Sequence, residues 1–231
     1  MSADADQLIA RTRAWFEAPE QISLYSAEHL QGPTELESSL LERLRPRGWD
    51  ILDLGCGAGR LAVPLALQGN RVTGIDVSRP LIDAARQFAR DRDAGTVEFD
   101  VVAGAGIEFP PTSFDLVLSV KHFCYIPGRE RRRGLLNDVA TVLRPGGRLV
   151  VTSHLVPTEA EALESLRDDP VHRAAAAEFT ELEPLDTFSD GQGYVHWFTR
   201  GSLLDELSVF GRIEGIEESM DGFQIGVILR R

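Results

Sequence analysis

Between Trp49 and Asp76 the chain carries glycines and two carboxylates at a spacing suited to a charged, nucleoside-like ligand. The stretch reads WDILDLGCGAGRLAVPLALQGNRVTGID. Gly55, Gly57 and Gly59 fall at alternate positions, and glycine lets the backbone take positive φ and approach a ligand closely. Asp76 follows the loop by about twenty residues, where a carboxylate meets a ribose in a doubly wound sheet. Asp53 precedes the loop, and a carboxylate there repels a pyrophosphate but attracts an ammonium or sulfonium group through space. The third glycine also falls one residue too early for G-x-G-x-x-G, whose last position is held by Arg60. The pattern argues against a dinucleotide and for a ligand that joins an adenosine ribose to a cation.

S-adenosylmethionine is such a ligand, and at these residues the chain resembles the class I S-adenosylmethionine-dependent methyltransferase family of small-molecule type. Motif I is matched by Asp53-Leu54-Gly55-Cys56-Gly57-Ala58-Gly59. It is joined at family-like spacing by Asp76, by Phe114-Asp115-Leu116-Val117, and by Leu143-Arg144-Pro145-Gly146-Gly147-Arg148. The resemblance covers roughly Trp49 to His154. It implies S-adenosyl-L-methionine as cofactor, with Asp53 and the loop residues Gly55, Cys56 and Gly57 at its methionine end. It further implies Asp76 on the ribose hydroxyls, Val77 on the adenine face, and the segment from Ser119 and Val120 onward at the reacting centre. Tyr25, in an N-terminal helical segment expected to lie over the cofactor, is the aromatic for the methionine end. Where family members commonly place an acid on the adenine amino group, this chain has Ala103, so Ala103 and Gly104 are expected to offer backbone contacts only.

Methyl transfer is an in-line displacement on an already activated methyl group, so an enzyme contributes chiefly by positioning the acceptor and taking a proton. After the fourth strand comes Ser119-Val120-Lys121-His122-Phe123-Cys124-Tyr125. This is not the Asn-Pro-Pro-Tyr of amino methyltransferases acting on bases or glutamine, and no metal-ligand cluster of the catechol type is evident. His122, Tyr125 and His154 would converge at the sheet mouth in this fold, and imidazole titrates near neutrality, so either histidine suits a general base. His196 and Trp197 are expected to line the acceptor pocket. Arg132 stands three, four and seven residues before Leu135, Leu136 and Val139, so it points inward. An inward arginine at a helix N-terminus opposes the helix dipole unless an anion compensates it. That anion is either a carboxylate of the acceptor, which would make Arg132 a substrate residue, or an internal partner such as Glu108 or Asp115.

The elements that would hold these residues read as an α/β fold: a Rossmann-like, doubly wound, seven-stranded sheet with an antiparallel last strand. Apolar Ile51, Leu52 and Leu54 predict the first strand, and Leu61, Ala62, Leu65 and Ala66 a helix. Strands follow at 71–76, 97–103, 114–120 and 148–153, with a turn at Arg144-Pro145-Gly146-Gly147. Ser78 suits the cap of a helix with Pro80 in its first turn. Near the N-terminus one helix is expected to stop near Pro19, a loop to carry Tyr25, and Thr34 and Glu37 to form a capping box. A helix is expected at 159–167, then a strand pair across Asp190-Gly191-Gln192-Gly193. A helix at 202–210 and a closing pair around Asp221-Gly222 complete the reading. The whole is one domain: an N-terminal helical lid segment at 1–48, a cofactor-binding core at 49–154, a substrate-lid insertion at 155–200, and a terminal helix and strand pair at 201–231.

Composition narrows the partners. The chain has 231 residues, 43% of them hydrophobic, enough for one substantial core. A formal net charge of -12 argues against nucleic acid or an anionic membrane surface, because phosphate binding relies on lysine and arginine. The acidic start without an apolar h-region, and the lack of a bilayer-length apolar run, predict a cytoplasmic protein. The two cysteines, Cys56 and Cys124, form neither a C-x-x-C pattern nor a zinc set. The expected activity is methyl transfer to a small-molecule acceptor at nitrogen or oxygen. The alternatives are a non-catalytic S-adenosylmethionine-binding module and a protein or tRNA methyltransferase.

Overall fold

The first strand, β1 (Asp50–Leu54), is apolar at Ile51, Leu52 and Leu54 because it is covered on both faces. Parallel β2 (Arg71–Asp76) and β3 (Val97–Val101) lie to one side of it, and parallel β4 (Phe114–Val120) and β5 (Leu143–His154) to the other. The computed structural model describes residues 3–104, 106–188 and 193–231. Two late strands, β8 (Arg212–Glu218) and β9 (Gln224–Arg230), finish the sheet in the order β3-β2-β1-β4-β5-β9-β8. β9 is antiparallel to both β5 and β8. The order therefore reverses between β1 and β4, and ligands bind at the carboxyl ends of the strands at such a switch point.

Alternation along the strands supplies two cores. Ile51, Leu116, Leu118, Val150 and Ile228 point to one face. There they meet α3 (Glu35–Leu44), α4 (Ala62–Leu67) and α5 (Arg79–Asp91) through Leu40, Leu65, Ile82, Ala85 and Phe88. Their neighbours Leu52, Val117, Val151, Val227 and Leu229 point to the other face. That face is covered by α6 (Arg129–Val142) and α9 (Arg200–Leu207), through Leu136, Val139, Leu203 and Leu207. Caps fix the helix starts. Thr34 accepts from the Glu37 amide while Glu37 accepts from Thr34, and Ser78 Oγ accepts from Leu81 N.

The N-terminal segment forms α1 (Ala3–Phe16) and α2 (Pro19–Glu28), so Tyr25 lies on a helix rather than in a loop. Proline at the first helical position starts α2 instead of merely ending α1. The insertion holds α7 (Glu159–Asp168), α8 (Pro170–Ala176) and a two-stranded pair, β6 (Asp186–Thr187) with β7 (Val195–His196). The turn at 190–193 lies outside the described residues except for Gly193. Leu8 of α1 packs with Phe179, Phe188 and Tyr194 of the insertion. Asp4 accepts from the Thr180 and Glu181 amides. The two segments that interrupt the βα alternation thus hold each other.

Several boundaries differ from the sequence reading, among them the end of α9 at Leu207 rather than at residue 210. β3 ends at Val101, not at residue 103. The Arg144-Pro145-Gly146-Gly147 stretch lies within β5, as a bulge that lets Phe114 pair with Leu143 and Leu116 with Arg148. Arg144 holds the bulge by bonding Asp115 at 2.7 Å and Asp50 at 2.8 Å. Among the described residues no helix is long and apolar enough to cross a membrane.

Candidate active site

A cavity of about 1170 Å³ opens over the carboxyl ends of β1, β2 and β4. Its floor is the glycine loop. Gly55 N and Cys56 N both donate to Ile75 O, at 2.8 and 3.1 Å, which folds the loop back over the end of β2. Gly55 and Gly57 sit at φ of 67° and 53°, in the left-handed region that favours glycine. Asp76 ties this loop to the next helix: Oδ2 accepts from Gly57 N at 2.9 Å and Oδ1 from Ser78 N at 2.8 Å. Burial raises the Asp76 pKa, and the amides of Ser78 and Gly57 oppose that rise.

Asp53 is 3% exposed and lines the cavity, yet its carboxyl makes no hydrogen bond among the described residues. Burial pushes its pKa up to about 7; nearby Arg60 lowers it, and Glu37 and Asp76 raise it further. Arg60 itself is committed elsewhere, with its two terminal nitrogens on Glu37 at 2.6 and 2.8 Å and one of them also on Gly32 O at 2.9 Å. This clamp joins the glycine loop to the cap of α3. Sequence reading missed it because the partners lie 23 residues apart with no periodic relation. Cys56 is buried and its thiol pKa is raised well above the ordinary value by burial, then by Asp76 and Asp53, so it stays protonated.

His122, Tyr125 and His154 all line the cavity. His122 Nδ1 lies 3.1 Å from Ser119 Oγ, and burial drops the imidazole pKa to about 4, so it is neutral at physiological pH. Tyr125 follows on a 3-10 turn, edge-on to Phe16 with centroids 5.0 Å apart. Phe16 also meets Tyr25 at 5.6 Å. Burial and then Glu28 push the Tyr25 phenol up to about 12, and burial lifts that of Tyr125 as well. His154 is solvent-exposed at the end of β5, and surrounding protein, then the charge of Lys121, lower its pKa. Val77, Gly104, Val120 and Trp197 also face the cavity, and Arg13 reaches across from α1 to bond Val77 O at 3.0 and 3.1 Å.

Four sequence-predicted residues are placed elsewhere. Ala103 does not line the cavity: with β3 already ended, the chain turns, Val102 and Gly104 face inward, and Ala103 is exposed. Ser119 is buried behind His122 and orients it rather than facing the cavity. Arg132 points inward as predicted, but its partners are protein carboxylates. Nε and Nη2 bond Glu206 at 2.8 and 2.7 Å, and Nη2 also bonds Glu183 at 2.7 Å. Burial alone would lower its pKa, but the two glutamates hold it above the ordinary value. Arg132 is therefore a structural latch between α6, α9 and the insertion, and neither Glu108 nor Asp115 is the anion. His196 turns the same way. Its Nδ1 lies 2.8 Å from Asp186 Oδ1, which also accepts from Tyr194 OH at 2.8 Å, while the flanking Val195 and Trp197 line the cavity. Glu183, Asp186 and His196 bring ligand atoms within 4.8 Å of one another. There Glu183 is paired with Arg132, and Asp186 is held by Tyr194 and His196.

Beyond these, α1 and α2 bring Ile9, Thr12, Trp15 and Gln21 to the cavity. Thr12 Oγ1 and Gln21 Oε1 are buried without a hydrogen-bond partner. The chain's single lysine, Lys121, lines the cavity as well.

A doubly wound sheet with a glycine loop and an acid-ended second strand at its switch point defines a Rossmann-like, nucleoside-binding protein. A family model described as a methyltransferase domain matches residues 51–147. Residues 51–147 thus carry a methyltransferase domain, and the proteins this chain is similar to are S-adenosylmethionine-dependent methyltransferases. It is 34% identical to a nocamycin O-methyltransferase of Saccharothrix syringae, over 67% of this chain and 56% of that protein. It is 36% identical to the O-methyltransferase rstn1 of Aspergillus nomiae, over 65% of this chain and 63% of that protein. The chain thus spans 56% to 63% of the length of these relatives. A SAM-dependent methyltransferase structure from Methanosarcina mazei superposes with a TM-score of 0.68 at 22% identity, over 83% of this chain and 96% of that one.

Proposed function

We propose that this protein transfers a methyl group from S-adenosylmethionine to a hydroxyl oxygen of a small organic acceptor. The observation that carries the reading is Asp53, a buried carboxyl on the cavity wall without a partner. Leaving such a group unsatisfied is costly, and a cation placed beside it removes the cost. The ammonium of the cofactor's methionine end would be that cation. Asp76 keeps lone pairs for the ribose hydroxyls beyond the backbone amides it already accepts. The glycine loop, Val77, Gly104 and Val120 form the remaining walls, and Tyr25 covers the methionine end from α2. Oxygen is favoured over nitrogen because the curated relatives named above are O-methyltransferases.

The cofactor supplies an electrophilic methyl carbon on a positively charged sulfur. The protein's part is to exclude water, orient the acceptor and hold its proton. With Nδ1–H donated to Ser119 Oγ, His122 keeps the Nε2 lone pair for the acceptor proton. The bound cofactor would give its methyl carbon to the acceptor oxygen and leave as S-adenosylhomocysteine, while the acceptor proton would pass to His122 Nε2. Trp197 and Val195 on the insertion, facing Trp15 and Phe16 on α1, support a lid that dries the site.

The test pairs calorimetry of S-adenosylhomocysteine with incubation of methyl-labelled cofactor and a panel of hydroxylated small molecules, read by mass analysis. Cofactor binding that weakens in Asp53→Asn and fails in Asp76→Ala, together with one labelled ether, is the expected result. No cofactor binding by the wild type overturns the reading. Binding without transfer to any acceptor favours a non-catalytic binding module.

A further inference from the structure

We propose that Lys121 is an oxyanion-binding residue and that the acceptor is an acidic hydroxyl compound, a phenol or an enol, held as its anion. This rests on the methyl-transfer reading and adds the chemical class of the acceptor to it.

The chain carries one lysine among 24 basic residues, and that lysine lines the cavity. Four basic residues other than histidine line it: Arg60, Lys121, Arg129 and Arg131. Arg60 is paired with Glu37, Arg129 with Asp205 and Arg131 with Asp6. Among the described residues Lys121 alone of the four makes no ion pair. An ammonium left unpaired in a cavity rimmed by carboxylates is a charge awaiting a ligand.

Its placement is specific. Lys121 directly follows β4 at the switch point, and its backbone sits at φ of 50°, a conformation costly for any side chain but glycine. The conformation is held by two bonds from Lys121 N to β5, to Thr152 O and Thr152 Oγ1, each 3.1 Å long. Strained backbone of this kind persists where surroundings over-determine it, and such places cluster at functional sites. The groups that feel its charge are His154 on β5, Cys124 on the 3-10 turn and Glu37 on α3. His122 is its chain neighbour on the same wall.

Lysine rather than arginine suits one oxygen. Its ammonium is a compact point charge, whereas the guanidinium fork matches the two oxygens of a carboxylate. The neutral imidazole of His122, with its weakened basicity, is a poor base for an aliphatic alcohol, but it suffices for a hydroxyl that ionises readily beside a cation. The cavity, at about 1170 Å³, is larger than a ligand pocket of roughly 300–1,000 Å³, which leaves room for an acceptor beside the cofactor. Phe16, Tyr125 and Trp197 offer flat apolar walls for an aromatic or conjugated ring.

The test uses 4-nitrophenol, whose ionised form absorbs visibly, added to protein saturated with S-adenosylhomocysteine. An opposite charge nearby lowers an acid's pKa by about 1–3 units. The bound probe is therefore expected to ionise at a pH lower by about one unit or more than in water, equivalent to at least about tenfold preference for the phenolate. Lys121→Met and Lys121→Gln should abolish the shift, and Lys121→Arg should retain part of it. All three variants should bind S-adenosylhomocysteine as the wild type does, which also shows that they fold. A bound probe that ionises as in water, a shift that survives in Lys121→Met, or no probe binding to the cofactor-loaded protein overturns the proposal. Loss of cofactor binding in the wild type would instead overturn the methyl-transfer reading.

Discussion

Replacing Arg132 with methionine should destabilise the protein more than any substitution of a surface arginine. The Arg132 side chain is 1% exposed, and its partners Glu206 and Glu183 are 10% and 27% exposed. Three charge-assisted bonds to carboxylates, a bond to Ile126 O at 3.2 Å, and the face of Phe198 at 5.3 Å all depend on it. Methionine fills much of the same volume but leaves two glutamates facing each other without a counter-charge. Breaking a buried pair in this way costs roughly 3–5 kcal/mol, and the lower end is expected because Glu183 retains some contact with water. At roughly 2–4 °C per kcal/mol for a chain of this size, the melting temperature should fall by about 6–12 °C. Urea denaturation with an unchanged slope, paired with calorimetric melting, measures it. The triple variant Arg132→Met, Glu183→Gln, Glu206→Gln should recover most of the loss, because the uncompensated charge and not the missing contact is the main cost. A loss under about 1 kcal/mol would place these bonds with ordinary surface pairs. A triple variant no more stable than the single one would refute the charge argument.

Asp53→Asn should separate stability from binding. The fold favours the protonated carboxyl, so this group's contribution falls as pH climbs from the unfolded value of 3.8 to about 7 and stays low above that. At pH 8 the cofactor-free variant should therefore be more stable than the wild type by roughly 1–3 kcal/mol, judged by urea titration. In the wild type, affinity for S-adenosylhomocysteine should rise with pH through about 7 as Asp53 ionises, and it should be flat there in Asp53→Asn. Ser119→Ala removes the partner of His122 Nδ1 and should lower kcat about tenfold without changing cofactor affinity, as steady-state kinetics and calorimetry would show together. Gly74→Ala would set a methyl group 2.7 Å from Phe99 Cδ1 and 2.9 Å from Cys56 Sγ, an overpacking worth about 1–3 kcal/mol in a thermal melt.

Features written in neighbouring residues were legible in the sequence. β2 and β4 run over the residues their apolar patterns predict, and the Thr34–Glu37 box and the Ser78 cap form as their spacing implies. Asp53, the glycine loop and Asp76 gather because they are joined by one strand-loop-helix-strand unit. Features that depend on distant partners were not legible. Helix spacing turned Arg132 inward correctly, but the anions it meets come from Glu183 and Glu206, 51 and 74 residues further along. His196 and Trp197 are adjacent on the insertion, and a two-residue strand was too short to decide which one faces the cavity. Proline and glycine at 145–147 read as a turn, whereas the pairing of Phe114 with Leu143 carries the ladder through them as a bulge. The start of α8 was local and readable after all: Asp169 accepts from the amides of Val171 and His172, with Pro170 leading the helix.

The antiparallel seat of β9 between β5 and β8 sets an order of events during synthesis. β5 is translated some seventy residues before its partner, since Ser153 pairs with Ile225. At a ribosomal pace of about 5–20 residues per second, one side of β5 waits roughly 4–15 seconds with its amides and carbonyls unclaimed. Its residues Leu149, Val150 and Val151, buried in the finished sheet, form an apolar strand whose open edge is a template for a neighbouring nascent chain. Crowded polysomes and slow codons between residues 155 and 224 would lengthen that wait, so the yield of native protein should respond to translation speed over the insertion more than over the glycine loop.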